Sequence, residues 1–207
     1  MSVKASLADW TFDRWSIDSP AVDAVQTAFK EWAVIVEALG SGEQILILRK
    51  GGIAEGAGGF RAEHNRFWLF PTCFHHQSEG MIKSARGRFG KLQWPAEDIL
   101  KIEFGAEVIE ARQLGLLDQA KRLTGQHIRS EQVITDRFSR GQEQGVYAMI
   151  VRVLRLPEPM EMPMLESYGG CKSWVELETP IDFSLAEPVL DDSDFAVKLT
   201  AFQEALA

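Results

Sequence analysis

The chain has 207 residues, of which 45% are hydrophobic and 25% are charged. This composition is that of a globular protein with a sizeable core. The six tryptophans and twelve phenylalanines argue against a disordered chain, because they bury large areas on folding. The net charge of −8 disfavours indiscriminate coating of nucleic acid by the whole surface.

In chain order, the first predicted element is an arm over residues 1–18, which holds three aromatic side chains without clear periodicity. Ser19 and Pro20 fit an N-cap and a first helical position, and the apolar residues from there to Trp32 recur at helical spacing. They predict a helix. The runs "AVIVEAL" and "QILILRK" follow on either side of a glycine-containing turn and predict a β-hairpin.

The middle of the chain is predicted to be mainly extended. A glycine-rich loop over residues 51–59 leads into a buried strand from Phe67 to Phe74, with Pro71 at an edge or a bulge because proline cannot donate a backbone hydrogen bond. A short helix is predicted at the start of residues 78–91. The run "AEVIEARQL" then predicts another strand.

The remaining predicted elements are two helices and three strands. The run "LLDQAKRL" predicts a short helix that stops before Gly125, and "EQVITDRF" and "GVYAMIVRVLRL" predict two strands. The second of these strands is apolar on both faces and is therefore expected at the centre of a sheet. The run "CKSWVELE" predicts a final strand, and "SDFAVKLTAFQEAL" predicts a capped C-terminal helix.

Together these elements predict an α+β fold around a strongly curved, mostly antiparallel or mixed sheet, with a small barrel as an alternative form. The expected organisation is an N-terminal arm (1–18), a single α+β domain (19–182) and an acidic C-terminal helical extension (183–207). The longest apolar run, "VYAMIV", is too short to cross a bilayer, and the N-terminus has no signal-peptide core. We therefore expect a cytoplasmic protein without a membrane partner.

Charge is unevenly distributed along the chain. Eight basic and three acidic residues lie between Arg49 and Lys91, whereas eleven acidic and two basic residues follow Pro157. Because cations neutralise phosphates and aromatic rings stack on bases, the basic region predicts binding of nucleic acid or a nucleotide-like anion. The predicted anion-binding residues are Arg49, Lys50, Arg61, Arg66, Lys83, Arg86, Arg88 and Lys91.

A second candidate site combines histidines and cysteines. Its members are His64, Cys73, His75 and Cys171, which could bind a metal and support a hydrolase as an alternative function. Their spacing lacks the paired Cys-x2-4-Cys or His-x3-5-His pattern, so the favoured interpretation is a buried Cys73 thiol beside structural histidines. The two cysteines are too few for a disulfide framework. The sequence specifies no cofactor.

Several runs carry a resemblance to a known family. The segments "EWAVIVEAL", "LILRKGGI", "RFWLFPT", "RVLRL" and "YGGCKSWVEL" resemble domain of unknown function 1802, a bacterial family, over roughly residues 29–180. The resemblance implies an association with restriction-type nuclease systems and hence with nucleic acid, and it assigns no catalytic residues. The run "GGCKSWVEL" is also similar to the Gly-x-Lys-x-x-Glu-x-Arg element of ASCH domains, although the interval from Lys172 to Glu176 is one residue longer and the arginine is absent.

A third function class is a structural or interaction protein without catalysis. In that case the N-terminal arm and the acidic C-terminal helix would contact a protein partner or a second copy of the chain.

Overall fold

The computed structural model describes residues 23–50, 64–73, 77–89, 95–140 and 145–207. The predicted N-terminal arm and the glycine-rich loop lie outside the described residues. Within them, the strands are β1 (Ala24–Trp32), β2 (Leu46–Arg49), β3 (Arg66–Thr72), β4 (Ile99–Leu114), β5 (Val146–Pro163), β6 (Trp174–Asp182) and β7 (Glu187–Pro188). The α-helices are α1 (Ala33–Gly40), α2 (Lys83–Phe89), α3 (Leu117–Arg122), α4 (Glu131–Ser139) and α5 (Asp192–Ala205).

The seven described strands form one mixed sheet in the order β2-β5-β4-β3-β1-β6, with β7 paired to β5. The β1–β3 pair is parallel and the other pairs are antiparallel. This confirms the predicted α+β class and the mixed sheet. Among the described strands, the edge strands β2 and β6 are not paired with each other, so these strands form an open sheet rather than a closed barrel.

The open sheet is nevertheless strongly curved. Arg49, the last residue of β2, donates from Nη2 to Oγ of Ser173, just before β6, at 2.7 Å. The same guanidinium lies 4.6 Å from the ring centre of Phe29 in β1. Because β2 and β6 are at opposite ends of the strand order, these contacts require the sheet to bend until its edges face each other.

The core follows from alternation along the strands. In β3, Phe67 and Leu69 join the cluster that contains helix α1, whereas Trp68 and Phe70 pack into a second cluster on the other face. A third cluster lies between β2, β5 and helices α3, α4 and α5. Strand β5 supplies both the first and the third cluster, so it is apolar on both faces as predicted. It lies inside the sheet, between β2 and β4, but next to the edge strand β2 and not at the centre.

Two predictions at the start of the domain were wrong. The segment that ends at Trp32 was expected to be a helix but forms β1, and "AVIVEAL" was expected to be a strand but forms α1. Strand β1 has neighbours on both sides, and its central residues Thr27 to Phe29 are all buried, so its pattern does not alternate. Helix α1 is buried on almost every side, and tertiary packing overrides the β propensity of its branched residues.

The segment "EQVITDRF" was also predicted to be a strand, and this was wrong because it forms α4. The Ser130 hydroxyl accepts a hydrogen bond from the Val133 amide and caps the helix. Ile134 and Phe138, four residues apart, are the buried side chains of this helix.

The buried strand predicted from Phe67 to Phe74 is shorter than expected. Residues Phe67 to Phe70 are buried, but β3 ends at Thr72, Cys73 is exposed, and Phe74 lies outside the described residues. Among the described strands, β4 pairs with Arg66–Trp68 of β3, and Pro71 lies beyond this stretch, where β1 is the neighbour of β3. This confirms the edge position that was expected for the proline.

The predictions for α3, β6 and the C-terminal helix are confirmed. The side chain of Asp191 accepts a hydrogen bond from the Asp194 amide and caps α5. The helix packs on the body through Phe195 and Phe202, which are both buried.

Candidate anion-binding site

A buried ion pair lies at the end of β1. Glu31 is 1% exposed and Arg129, two residues before α4, is 2% exposed. Nη2 of Arg129 donates to Oε1 of Glu31 at 2.6 Å. Arg49 adds a second cation, with Nη1 at 4.0 Å from the other oxygen of Glu31. With Arg137 and Trp32, described next, these residues are called the arginine cluster: Glu31, Trp32, Arg49, Arg129 and Arg137.

Backbone contacts fix the position of each guanidinium. Arg129 forms a β-bridge with Met81, and its guanidinium reaches Glu31 at the end of β1. Arg137, in the last turn of α4, donates to the carbonyl of Leu48 at 3.1 Å. Pairing of β2 with β5 sets the position of Arg49. The cluster is therefore assembled from four separate segments of the chain.

The ring of Trp32 contacts two of the arginines. The guanidinium of Arg129 lies 4.5 Å from its ring centre, and that of Arg137 lies 5.3 Å away. Aromatic faces attract cations through the ring quadrupole. Trp32 therefore contributes to holding positive charge where solvent is largely excluded.

The cluster has an excess of positive charge, because three guanidiniums surround one carboxylate. Burial alone would raise the pKa of Glu31, but Arg129, Arg49 and Arg137 outweigh it and lower that pKa below its ordinary value. Burial, followed by repulsion from Arg129, lowers the pKa of Arg137 to about 9. An additional anion would relieve this repulsion.

Some buried polar atoms at the cluster have no hydrogen-bond partner in the described part of the chain. They include two donors, Nη1 of Arg129 and Nε1 of Trp174, whose ring centre lies 4.6 Å from that of Phe29. They also include one acceptor, Oε2 of Glu31, which lies 4.0 Å from Nη1 of Arg49. Arg49, with its side chain 18% exposed, and the half-buried Trp32 form the accessible rim. The arrangement offers unused donors and positive charge behind a partly open rim, which is what an anion requires.

The structure places one predicted anion-binding residue, Arg49, in the cluster. Lys50 donates to the carbonyls of Phe138 and Gly145, and Arg66 forms ion pairs with Asp23 and Glu107.

Two other predicted anion-binding residues, Lys83 and Arg86, belong to α2. Arg86 donates to the carbonyls of Met81 and Glu79, and Lys83 is exposed on α2. Arg61, Lys91 and the side chain of Arg88 lie outside the described residues.

The predicted histidine–cysteine site is not assembled from the described residues. His64 packs edge-on against Trp174 with ring centres 5.1 Å apart. Cys73 and Cys171 are exposed free thiols, so the expectation that Cys73 is buried was wrong, because β3 ends one residue before it. His75 lies outside the described residues. Among the described residues, no group of three histidine, cysteine, aspartate or glutamate side chains could hold a metal ion.

Four members of the cluster, Glu31, Trp32, Arg129 and Arg137, were not predicted from the sequence. Glu31 and Trp32 belong to β1, which had been predicted to be a helix. Arg137 belongs to α4, which had been predicted to be a strand, and Arg129 lies in the segment before α4. The local sequence feature that indicates the start of α4 is Ser130, the N-cap residue, which follows Arg129 directly.

Comparison with known proteins gives a family and weak structural similarities. The family model of the domain of unknown function DUF1802 matches residues 28–201. A crystal structure of ASCH from Zymomonas mobilis is 15% identical, covers 84% of this chain and 93% of its own, and has a TM-score of 0.43. A mutant of that protein is 16% identical, covers 84% of this chain and 96% of its own, and has a TM-score of 0.41. No curated protein matches the sequence.

In the described ranges, no helix is long and apolar enough to span a membrane. Since the family model matches most of the sequence, the chain belongs to the DUF1802 family.

Proposed function

We propose that the protein binds a phosphate-bearing nucleotide or single-stranded nucleic acid at the arginine cluster. The observation that supports this function best is the excess of two positive charges around Glu31, combined with the unused buried donor of Arg129. Buried charge without a counterion is costly, and a bound phosphate would supply the missing acceptors.

The chemistry of the rim favours a phosphate attached to a base. Guanidinium groups match phosphate oxygens in a bidentate geometry, and Arg49 presents such a group at the partly exposed edge. Trp32 and Trp174 are half-buried aromatic side chains beside it, and exposed aromatic faces stack on bases. The basic residues predicted around α2 would add electrostatic attraction for the same ligand.

The depth of the cluster favours a nucleotide or a single strand over a duplex. Glu31 and Arg129 are almost fully buried, so a phosphate must enter the body of the domain to reach Arg129. The phosphates of a rigid duplex cannot do so, whereas those of a flexible strand or a free nucleotide can.

The test is fluorescence anisotropy with labelled single-stranded RNA and DNA at low salt, with unlabelled nucleotides as competitors. We expect Arg49→Ala and Arg137→Ala each to weaken binding by at least about tenfold, since each removes a charged hydrogen-bonding group. The matched control is Arg66→Ala, because Arg66 is already neutralised by Asp23 and Glu107. It should change affinity by less than about twofold.

Two results would contradict the proposal. One is the absence of binding below about 100 μM at low salt, where even non-specific nucleic-acid binding is normally seen. The other is an equal loss of affinity in Arg66→Ala and Arg49→Ala, which would indicate a diffuse surface field instead of the cluster. Far-UV circular dichroism of each variant distinguishes lost binding from lost fold.

A further inference from the structure

A cleft of about 340 Å³ opens beside helix α1, apart from the arginine cluster. It exists because β3 and β4 separate: they pair from Arg66 to Trp68, and beyond that point β3 follows β1 alone. Its apolar walls include Val36, Leu69 and Phe104. The volume is within the range of small-molecule sites.

Among the described residues, three of the four charged groups that line the cleft already have partners. Glu103 faces Lys101 at 4.0 Å and Arg155 at 3.6 Å. Arg155 also donates to the carbonyl of Gly40 at 3.0 Å and lies 5.0 Å from the ring centre of Phe104. The two cations are therefore held by Glu103 and by the end of α1.

Glu37 is the exception. It lines the cleft from the middle of α1, and its Oε2 atom is buried without a hydrogen-bond partner among the described residues. Glu37 as a whole is half-buried and has no ion-pair partner among the described residues, so its carboxylate favours a ligand that brings charged N–H groups. Gly40 and Ser41, at the C-terminal end of α1, also line the cleft. The partial negative charge of a helix C-terminus favours cations as well.

We propose that this cleft binds a small organic cation, an amine, amidine or guanidine with an apolar body. The N–H groups of the ligand donate to Glu37, and its apolar part packs against Leu69 and Phe104. Charge-assisted hydrogen bonds to a carboxylate are stronger than neutral ones, so Glu37 selects the charged head. The walls select an apolar body because its burial removes apolar surface from water.

The experiment is calorimetric titration of the full chain with benzamidine, a planar apolar cation, and with benzoate, an anion of similar shape. We expect benzamidine to bind and benzoate not to bind. Glu37→Gln keeps the shape of the side chain and removes its charge, and it should weaken benzamidine binding at least tenfold. Glu158→Gln makes the same charge change at an exposed position of β5 outside the cleft walls, and it should leave affinity within twofold.

The proposal is overturned if benzamidine fails to bind up to about 10 mM, if benzoate binds equally well, or if both glutamine variants behave alike. Arg49→Ala is an additional control. Because Arg49 lies in the arginine cluster, its substitution should leave benzamidine binding unchanged. A negative result for the cation site therefore does not contradict the phosphate site. A negative result for the phosphate site likewise does not contradict the cation site.

Discussion

The contact between Glu31 and Arg129 joins two charges that are almost completely shielded from water. Such a pair adds little net stability when complete, because desolvation offsets most of the attraction. Removal of one partner is different, since the other charge stays buried without compensation. Because of this asymmetry, we expect a single substitution to lower the free energy of unfolding most at Glu31.

We expect Glu31→Gln to lower the free energy of unfolding by about 3–5 kcal/mol, because it leaves Arg129 without its counter-charge. The measurement is urea denaturation followed by tryptophan fluorescence. The matched control is Glu107→Gln, which breaks a partly exposed ion pair with Arg66. That substitution should cost no more than about 1 kcal/mol. Similar losses in the two variants would show that burial of the Glu31 pair has no special cost.

At the level of elements, sequence periodicity predicted β2, β5, β6, α3 and α5 because each has a clear pattern or a clear boundary signal. It failed at β1 because the centre of this strand is buried on both faces and does not alternate, and at α1 because this helix is buried on nearly all sides. A fully buried strand and a fully buried helix show similar apolar runs, and length or flanking residues must separate them. At α4 the signals were present, in Ser130 as a cap and in the spacing of Ile134 and Phe138, but the branched residues Val133 and Ile134 favoured a strand.

The candidate site was less predictable than the fold. Arg49 was identified from local charge density, which is a property of a short segment. Glu31, Arg129 and Arg137 are brought together only by the path of the chain, with Glu31 and Arg129 separated by 98 positions. No short-range pattern in a single sequence specifies such a contact.

Helix α1 ends against the ring of Phe104, and this contact requires glycine. A Cβ atom at Gly40 would lie 2.3–2.6 Å from three atoms of that ring. We expect Gly40→Ala to lower the free energy of unfolding by about 1–3 kcal/mol, as overpacked substitutions do. Thermal denaturation followed by circular dichroism measures the change.

The control for this substitution lies in another helix. A Cβ atom at Gly87 in α2 would have nothing within 4 Å, so Gly87→Ala should be neutral or should stabilise by about 0.5–1 kcal/mol through helix propensity. If Gly40→Ala is tolerated as well as Gly87→Ala, the end of α1 is free to shift away from Phe104.

At the scale of the whole molecule, the curved sheet explains the composition of the arginine cluster. Its two edges meet at Arg49 and Ser173, so residues from both ends of the strand order reach one place. Close to this place, burial and then repulsion from Arg129 lower the pKa of His127 from 6.5 to about 4. The imidazole is therefore neutral in the folded protein at neutral pH.

This pKa predicts acid sensitivity of the whole fold. Between about pH 6.5 and pH 4 the unfolded chain binds a proton at His127 that the folded chain does not bind, so the free energy of unfolding falls as pH decreases. The full loss is on the order of 3 kcal/mol. Urea denaturation at several pH values should show this slope in the natural sequence and a flatter profile in His127→Gln.

The lowered pKa of Glu31 acts in the same direction but in a lower window. The stabilisation from Glu31 is lost only as pH falls below about 4.5, which is the pKa of this carboxyl in the unfolded chain. This effect is the same in the natural sequence and in His127→Gln. An unchanged slope above pH 4.5 in His127→Gln would show that the imidazole is not the group responsible.

The pairing of β1 with β6 also has a consequence for synthesis of the protein. Thr27 in β1 bonds to Glu176 in β6, 149 positions later. At about 5–20 residues per second, β1 leaves the ribosome roughly 8–30 s before its outer neighbour exists. One of the first strands to be made is therefore among the last to be fully paired, and its free edge can meet other nascent chains throughout that interval.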